Sequence, residues 1–278
     1  MYFSYHNRSK PTGELLAQML QIPHGFGPAI WSEGNDTLIR WGSRIDPNAD
    51  EVYDRVINPC SAIKLCSDKI ASLEVMNNYD EDGRTINVPV FSTDPYSLIE
   101  EYGYPILGRK KQHARGTDIK LVLQERDLRK RCDYYTVYIP TNREYRIHVV
   151  EDEVIRVQGK YLDNPKEQVA YMRNYATGYR FRTPRMRLHS DRLRMAREAV
   201  KCLGLQFGAV DLLVADDGTG YVLEVNTAPS CSPLTLGAYA VAFQKHYCPD
   251  VEIDLSVMDM LDRTIEDMDS DDEVEGEE

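Results

Sequence analysis

Apolar positions along the chain alternate between two periods. Leu15, Leu16, Met19 and Leu20 recur at helical spacing behind Pro11, which predicts a helix over 12–22. Ile63, Cys66, Ile70, Leu73 and Met76 repeat that spacing and predict one helix over 60–79, with Lys69 on its polar side. Leu193, Ala196, Ala199, Val200 and Leu203 form the inward face of another, with Ser190 as its cap. Residues 234–247 and 254–268 read as two further helices. Between them lie short β-branched and aromatic runs at 37–41, 56–57, 88–91, 133–140, 144–150 and 154–161, with two more flanking the basic loop 109–115. The runs at 133–140 and 144–150 are expected to pair across a turn at 141–143. Short strands interleaved with amphipathic helices predict an α+β fold.

Two runs depart from simple core patterning. Residues 207–214 (Phe-Gly-Ala-Val-Asp-Leu-Leu-Val) and 220–226 (Gly-Tyr-Val-Leu-Glu-Val-Asn) are joined by the acidic turn 215–219, which is rich in hairpin residues. In a strand, side chains alternate with period two, so Glu224 and Asn226 share a face that Asp211 on the partner strand can join. Asp, Glu and Asn together offer oxygen ligands, which suit a hard cation such as Mg²⁺. A half-exposed hairpin with a solvated polar face satisfies the same alternation. The exit at 226–233 (Asn-Thr-Ala-Pro-Ser-Cys-Ser-Pro) favours a shaped loop over a solvated edge.

Composition narrows the class. The chain has 278 residues, enough for two or three subdomains, and its 42% hydrophobic and 28% charged residues are those of an ordinary soluble protein. No apolar run approaches the roughly 20 residues of a membrane span, and the N-terminus carries no signal-peptide core, so a cytoplasmic setting is expected. Six cysteines contain no Cys-x-x-Cys pair and indicate neither a zinc ribbon nor a disulfide framework. Cys231 lacks an evident basic partner and reads as structural or substrate-adjacent rather than as a nucleophile. The net charge of −12 argues against a general nucleic-acid binder, but it is uneven. Much of it lies in the tail 266–278, read as disordered, whereas 109–115, 126–131 and 180–194 are basic. Basic clusters within an acidic chain point to a particular anionic ligand, or to solvated faces.

Asp211 followed by Glu224-Val-Asn226-Thr-Ala-Pro229 resembles the metal-binding signature of the ATP-grasp carboxylate–amine ligases, a family that includes D-alanine–D-alanine ligase and glutathione synthetase-like enzymes. The likeness spans roughly residues 60–250, with motifs in the family's order, and is greatest to its compact, phage-type members. It implies an ATP-grasp fold, two α+β subdomains gripping ATP, behind a short N-terminal subdomain. The expected divisions are 1–60 for the N-terminal subdomain, 61–135 for the lid subdomain, 136–265 for the subdomain with the metal site, and 266–278 for the tail.

The resemblance also implies roles. Asp211, Glu224 and Asn226 would hold one or two Mg²⁺ ions, with Mn²⁺ a workable substitute. Lys69, Arg109 and Lys160 would contact the phosphates of ATP, Val137, Tyr138 and Ile139 would form the adenine hinge, and Glu144 would lie near the ribose. Arg146, Lys160 and Asn174 would face the reacting groups. Arg109 stands where the family carries a lysine, the loop after it has a single late glycine, Gly116, and Ser230 stands where a glycine is usual. The implied activity is ATP-dependent amide formation from a small-molecule or peptide carboxylate and an amine, by way of an acyl phosphate. An ATP-grasp kinase and a nucleotide-binding module without turnover are the alternatives. Nucleic acid is not the favoured partner, no membrane is expected, and many family members are dimers.

Overall fold

Four short apolar runs near the N-terminus line up as an all-parallel sheet in the order β2-β1-β3-β4: β1 (Tyr2–Tyr5), β2 (His24–Gly25), β3 (Thr37–Trp41) and β4 (Arg55–Ile57). The computed structural model describes residues 1–28, 36–111, 119–129, 132–141, 143–163, 171–174 and 177–257. They fall into two units, one of residues 1–63 with the chain from Thr227 onward, the other Lys64–Asn226. In the first unit helix α1 (Lys10–Met19) starts two residues earlier than its periodicity suggested, with Pro11 in its first turn. Every residue of β3 is buried, the mark of a parallel strand covered on both faces. Arg40 on β3 is fully buried and fully engaged: Nε donates to Asp50 at 2.6 Å, and the two terminal nitrogens donate to the carbonyls of Ile45 and Asp46.

The second unit begins at Lys64, within α2 (Cys60–Ser67). The single helix expected over 60–79 is two helices, because Asp68 leaves helical geometry and its side chain accepts from the Ala71 N–H at 3.3 Å, capping α3 (Lys69–Asn77). The apolar spacing runs through the break in phase: Ile63, Cys66, Leu73 and Met76 are all buried. Lys69 is therefore the first residue of α3. After the two-residue strands β5 (Asp80–Glu81) and β6 (Arg84–Thr85) comes a four-stranded antiparallel sheet, order β7-β10-β8-β9. It comprises β7 (Phe91–Ser92), β8 (Ile106–Arg109), β9 (Lys120–Val122) and β10 (Tyr134–Val137), with α4 (Pro95–Tyr102) beside it. Leu98, Ile106, Val122 and Tyr135 form its core. Of the expected run at 88–91 only Phe91 is strand, paired with Ser92 in β7.

A second antiparallel sheet, order β13-β12-β11-β14-β15, is built from β11 (Arg143–Val150), β12 (Glu153–Leu162), β13 (Tyr179–Arg182), β14 (Phe207–Val214) and β15 (Gly220–Asn226). The expected pairing of 133–140 with 144–150 does not occur. β10 pairs with β7 and β8, and β11 with β12 and β14, because the segment from Tyr138 to Pro140 leaves strand geometry and carries the chain from one sheet to the other. Helix α5 (Ser190–Cys202) is capped by His189, whose Nδ1 accepts from the Asp191 N–H at 3.4 Å, rather than by Ser190. The turn between β14 and β15 closes as its composition requires, with Gly218 at φ +92° and Asp217 accepting from the Thr219 N–H at 2.8 Å.

Helix α6 (Pro233–Tyr247) returns to the first unit, where Tyr239 meets Trp41 edge-on at 5.1 Å between ring centroids and Phe243 lies against Trp41 and Phe3. Of the helix expected over 254–268, residues 258–268 lie outside the described residues, as do the tail 266–278 and the loop 112–118 with Gly116.

Candidate active site

The five-stranded sheet has two faces of opposite character. Ile147, Val149, Val210, Leu212, Val222 and Val225 are buried on one, where α5 packs with Met195, Ala196, Ala199 and Val200. Burial of each large side chain stabilises the fold by about 1.5–3 kcal/mol. Gly208 allows the close approach, since a Cβ there would lie 2.8 Å from Val225 Cγ1.

The other face carries the chemistry. In register across the strands lie Gln158, Arg146, Asp211 and Glu224, flanked by Lys160, Glu144, His148 and Asn226. Strand alternation alone would place Glu224 on the face of Val222. A bulge prevents this: Asp211 faces Glu224 while Leu212 faces Val222, so Leu223 is an extra residue and Val222 and Val225 are both buried. The bulge turns Glu224 and Asn226 toward Asp211.

Acids and bases on this face are matched. Arg146 grips Asp211 with two parallel hydrogen bonds, Nε to Oδ1 at 2.7 Å and a terminal nitrogen to Oδ2 at 2.9 Å. Burial opposes the charge of Arg146, but the Asp211 carboxylate outweighs it and raises the guanidinium pKa above its ordinary value. Lys69 reaches Glu224 Oε2 at 2.7 Å from the first turn of α3, and it too is held charged, with Glu224 overcoming desolvation. Asn226 Nδ2 donates to Glu224 Oε1 at 3.2 Å and lies 3.5 Å from Asp211 Oδ2. Glu144 is bound on both oxygens, Oε1 by Lys160 and Oε2 by Arg173 at 3.3 Å. A terminal nitrogen of Arg173 also donates to the Thr141 carbonyl. His148, fully buried, shares a 2.9 Å hydrogen bond with Gln158 Oε1, and burial pushes its pKa down to about 4.

These residues fit a hard cation. Two carboxylates and an amide converge, and Asn226 Nδ2 already lies between Asp211 and Glu224; turning the amide over presents its oxygen instead. Among the described residues no group of three or more His, Cys, Asp and Glu side chains could hold a metal.

Other expected site residues lie apart from this cluster. Arg109 ends β8 and its Nε donates to Thr136 Oγ1 at 3.3 Å. Tyr134, its partner in register, is buried, and desolvation raises its pKa against the pull of Arg109 and Lys69. Val137, Tyr138 and Ile139 stand where the chain crosses between sheets, and the N–H groups of Val137 and Tyr138 are committed to the carbonyls of Val90 and Pro105. Asn174 turns inward on its own loop, its Oδ1 accepting from the Thr177 N–H at 3.0 Å. Its neighbour Arg173 joins the charged face instead. Arg173 and Phe181 escape sequence reasoning, although a cation before the Asn-Tyr-Ala-Thr-Gly turn and an aromatic between Arg180 and Arg182 are visible signals.

No protein-family model matches the sequence, and no curated protein matches it. Solved structures do. D-alanine–D-alanine ligase from Bacillus anthracis superposes with a TM-score of 0.64 at 13% identity, over 97% of this chain and 99% of that one. The ATP-grasp ligase PsnB, solved with a minimal precursor, gives 0.64 at 13% identity over 88% and 98%. The chain has the ATP-grasp fold. N5-carboxyaminoimidazole ribonucleotide synthetase from Thermotoga maritima is a third ATP-grasp relative in structure, at 0.59 and 12% identity over 91% and 77%. Among the described residues no helix is long and apolar enough to cross a membrane.

Proposed function

We propose that this ATP-grasp protein is an ATP-dependent carboxylate–amine ligase that forms an amide through an acyl phosphate. The observation that carries the reading is the charged sheet face, where Lys69, Arg146, Lys160 and Arg173 meet Asp211, Glu224 and Glu144 in pairs and Asn226 joins the two carboxylates nearest the hairpin exit. All three acids are thus balanced by cations that an incoming polyphosphate can recruit. Solved ATP-grasp structures contain ATP in one D-alanine–D-alanine ligase and Mg with ADP in PsnB, which supports the same ligands here.

In this reading Asp211, Glu224 and Asn226 would hold Mg²⁺, which would supply positive charge against the charge developing on the transferring phosphoryl group. Release of Asp211 and Glu224 from their cations frees Arg146 and Lys69 for phosphate, with Lys160 on the same sheet face and Arg109 contributing from the end of β8. Arg146 presents a planar fork that binds phosphate or carboxylate bidentately, whereas Lys69 and Lys160 act as point charges. Glu144 accepts from the ribose hydroxyls. The carbonyls of the hinge at 137–139 and the Ile139 backbone address adenine, since the N–H groups of Val137 and Tyr138 are engaged. The same cations steady the oxyanion formed when the amine attacks the acyl phosphate. A peptide carboxylate or amine fits this reading, as a RiPP-associated ATP-grasp ligase from Chryseobacterium gregarium was solved with ADP and a leader and core peptide.

The deciding experiment measures ADP release with Mg²⁺-ATP against paired panels of carboxylates and amines, peptides included. ADP formation that requires both partners, and disappears in Glu224→Ala and Glu224→Gln, is the expected result. The glutamine variant keeps an acceptor for Lys69, so loss of activity there is not loss of fold. Turnover with one acceptor alone means a kinase, and nucleotide binding without turnover means a binding module; either overturns the ligase reading.

A further inference from the structure

The charged face consists of two separate networks. One runs Lys69–Glu224–Asn226–Asp211–Arg146, the other Lys160–Glu144–Arg173. Phe181 on β13 touches both. Its ring lies 4.5 Å from the Arg146 guanidinium carbon and 5.4 Å from Lys160 Nζ, and Lys160 and Phe181 are direct cross-strand neighbours. Arg146 is thus held by two partners, Asp211 through paired hydrogen bonds and the Phe181 ring over which its guanidinium carbon lies.

The two holds differ in what a nucleotide would do to them. Asp211 is an anion, and a cation bound between Asp211 and Glu224 competes with Arg146 for the same oxygens. The ring carries no charge and ligates no metal, yet its quadrupole attracts both cations. When Asp211 turns to a metal ion, the ring contact remains and keeps the guanidinium over the ring, where its N–H groups can meet phosphate. We infer that Phe181 is a positioning residue for polyphosphate binding, an aromatic platform that holds Arg146 and Lys160 in place while their carboxylate partners change. This rests on the proposed role of those two cations as phosphate ligands. Phe181 is itself 36% exposed on an edge strand, so its ring is not a core element whose loss unfolds the sheet.

The test compares binding of Mg²⁺-ADP with binding of adenosine, which has the ring and ribose but no phosphate, in the full-length protein. Phe181→Leu should weaken ADP by about tenfold, as expected for a partly desolvated cation–π contact. Adenosine binding should stay within about twofold on the same reasoning, and Phe181→Tyr should restore ADP affinity. Stepwise ring fluorination at position 181, which drains the π face while nearly preserving shape, should lower ADP affinity with each fluorine. Equal weakening of ADP and adenosine, or ADP affinity insensitive to fluorination, overturns the inference, because either result marks a packing role. Wild-type protein that binds ADP no better than adenosine overturns instead the phosphate role of Arg146 and Lys160. Should Phe181→Leu fail to fold, the fluorinated series decides alone.

Discussion

Asp211→Ala is expected to lower the stability of the nucleotide-free protein by about 3 kcal/mol, the lower end of the cost of leaving a buried ion without its partner. The side chains of Arg146 and Asp211 are only 16% and 8% exposed, so the guanidinium left behind has little access to water. Phe181 covers one face of it and Glu224 lies close enough to act on its charge, which keeps the penalty from the upper end of the range. For a chain of this size the loss corresponds to a melting point lower by about 6–12 °C. The double variant Arg146→Met with Asp211→Leu should recover most of that loss, since a well-packed apolar pair replaces a buried ion pair at little net cost. Urea titrations of the wild type, Arg146→Met, Asp211→Leu and the double variant give the coupling directly. A loss below about 1 kcal/mol in Asp211→Ala would mean that the pair is effectively solvated, as surface pairs are. Binding of Mg²⁺-ADP should vanish in both the single and the double variant, which separates stability from function: the double variant is stable and inactive.

Such a pair is inefficient if stability alone is considered, and that bears on what could be read in the chain. Glu224 and Asn226 were legible as neighbours on one face because strand alternation sets residues two apart on the same side, but their meeting with Asp211 depends on the bulge at Leu223. Their cations were legible as residues but not as partners. Lys69 meets Glu224 only because Asp68 breaks a helix whose apolar spacing continues unbroken, and a capping residue in phase with the helix leaves no mark in periodicity. The bulge at Leu223 is equally silent, since Val222-Leu223-Glu224-Val225 satisfies ordinary alternation with either face buried. Pairing of β10 and β11 failed for a related reason: Pro140 and a three-residue turn suit a hairpin, but each strand found a longer-range partner in a different sheet. Asn174 attracted attention as an amide in a polar loop, and such amides more often shape their own turn, as this one does. Arg173 reaches Glu144 from a loop 29 residues away in sequence, a contact that no local rule encodes.

Acid should unfold the protein in a window set by His148. Desolvation is the largest cause of its depressed pKa, Arg146 and Arg156 add to it, and the Gln158 hydrogen bond and Asp211 work the other way without prevailing. The folded state therefore keeps the imidazole neutral down to about pH 4, whereas in the unfolded chain it takes up a proton near its ordinary value of 6.5. Between those values the unfolded state binds more protons, so stability is fully present above about pH 6.5 and falls as the pH is lowered toward about 4. At 1.36 kcal/mol per pKa unit the total loss is about 3 kcal/mol. Carboxylates with lowered values, such as Asp68 with Lys111 and Asp133 with the Lys111 N–H, lose their contribution at lower pH than this, as they take up protons below their ordinary range. The two effects can be separated with His148→Gln, which retains a polar group for Gln158 and does not titrate. Wild type should lose about 2–3 kcal/mol more than His148→Gln between pH 7 and 4.5 in urea titrations, and the two curves should run parallel below pH 4. Parallel curves across the whole range would show that water reaches the imidazole and that the polar face is open beneath Arg146. Divergence confined to the expected window would place His148 and Gln158 in a dry layer, the low-dielectric floor on which the charged pairs above them gain their strength.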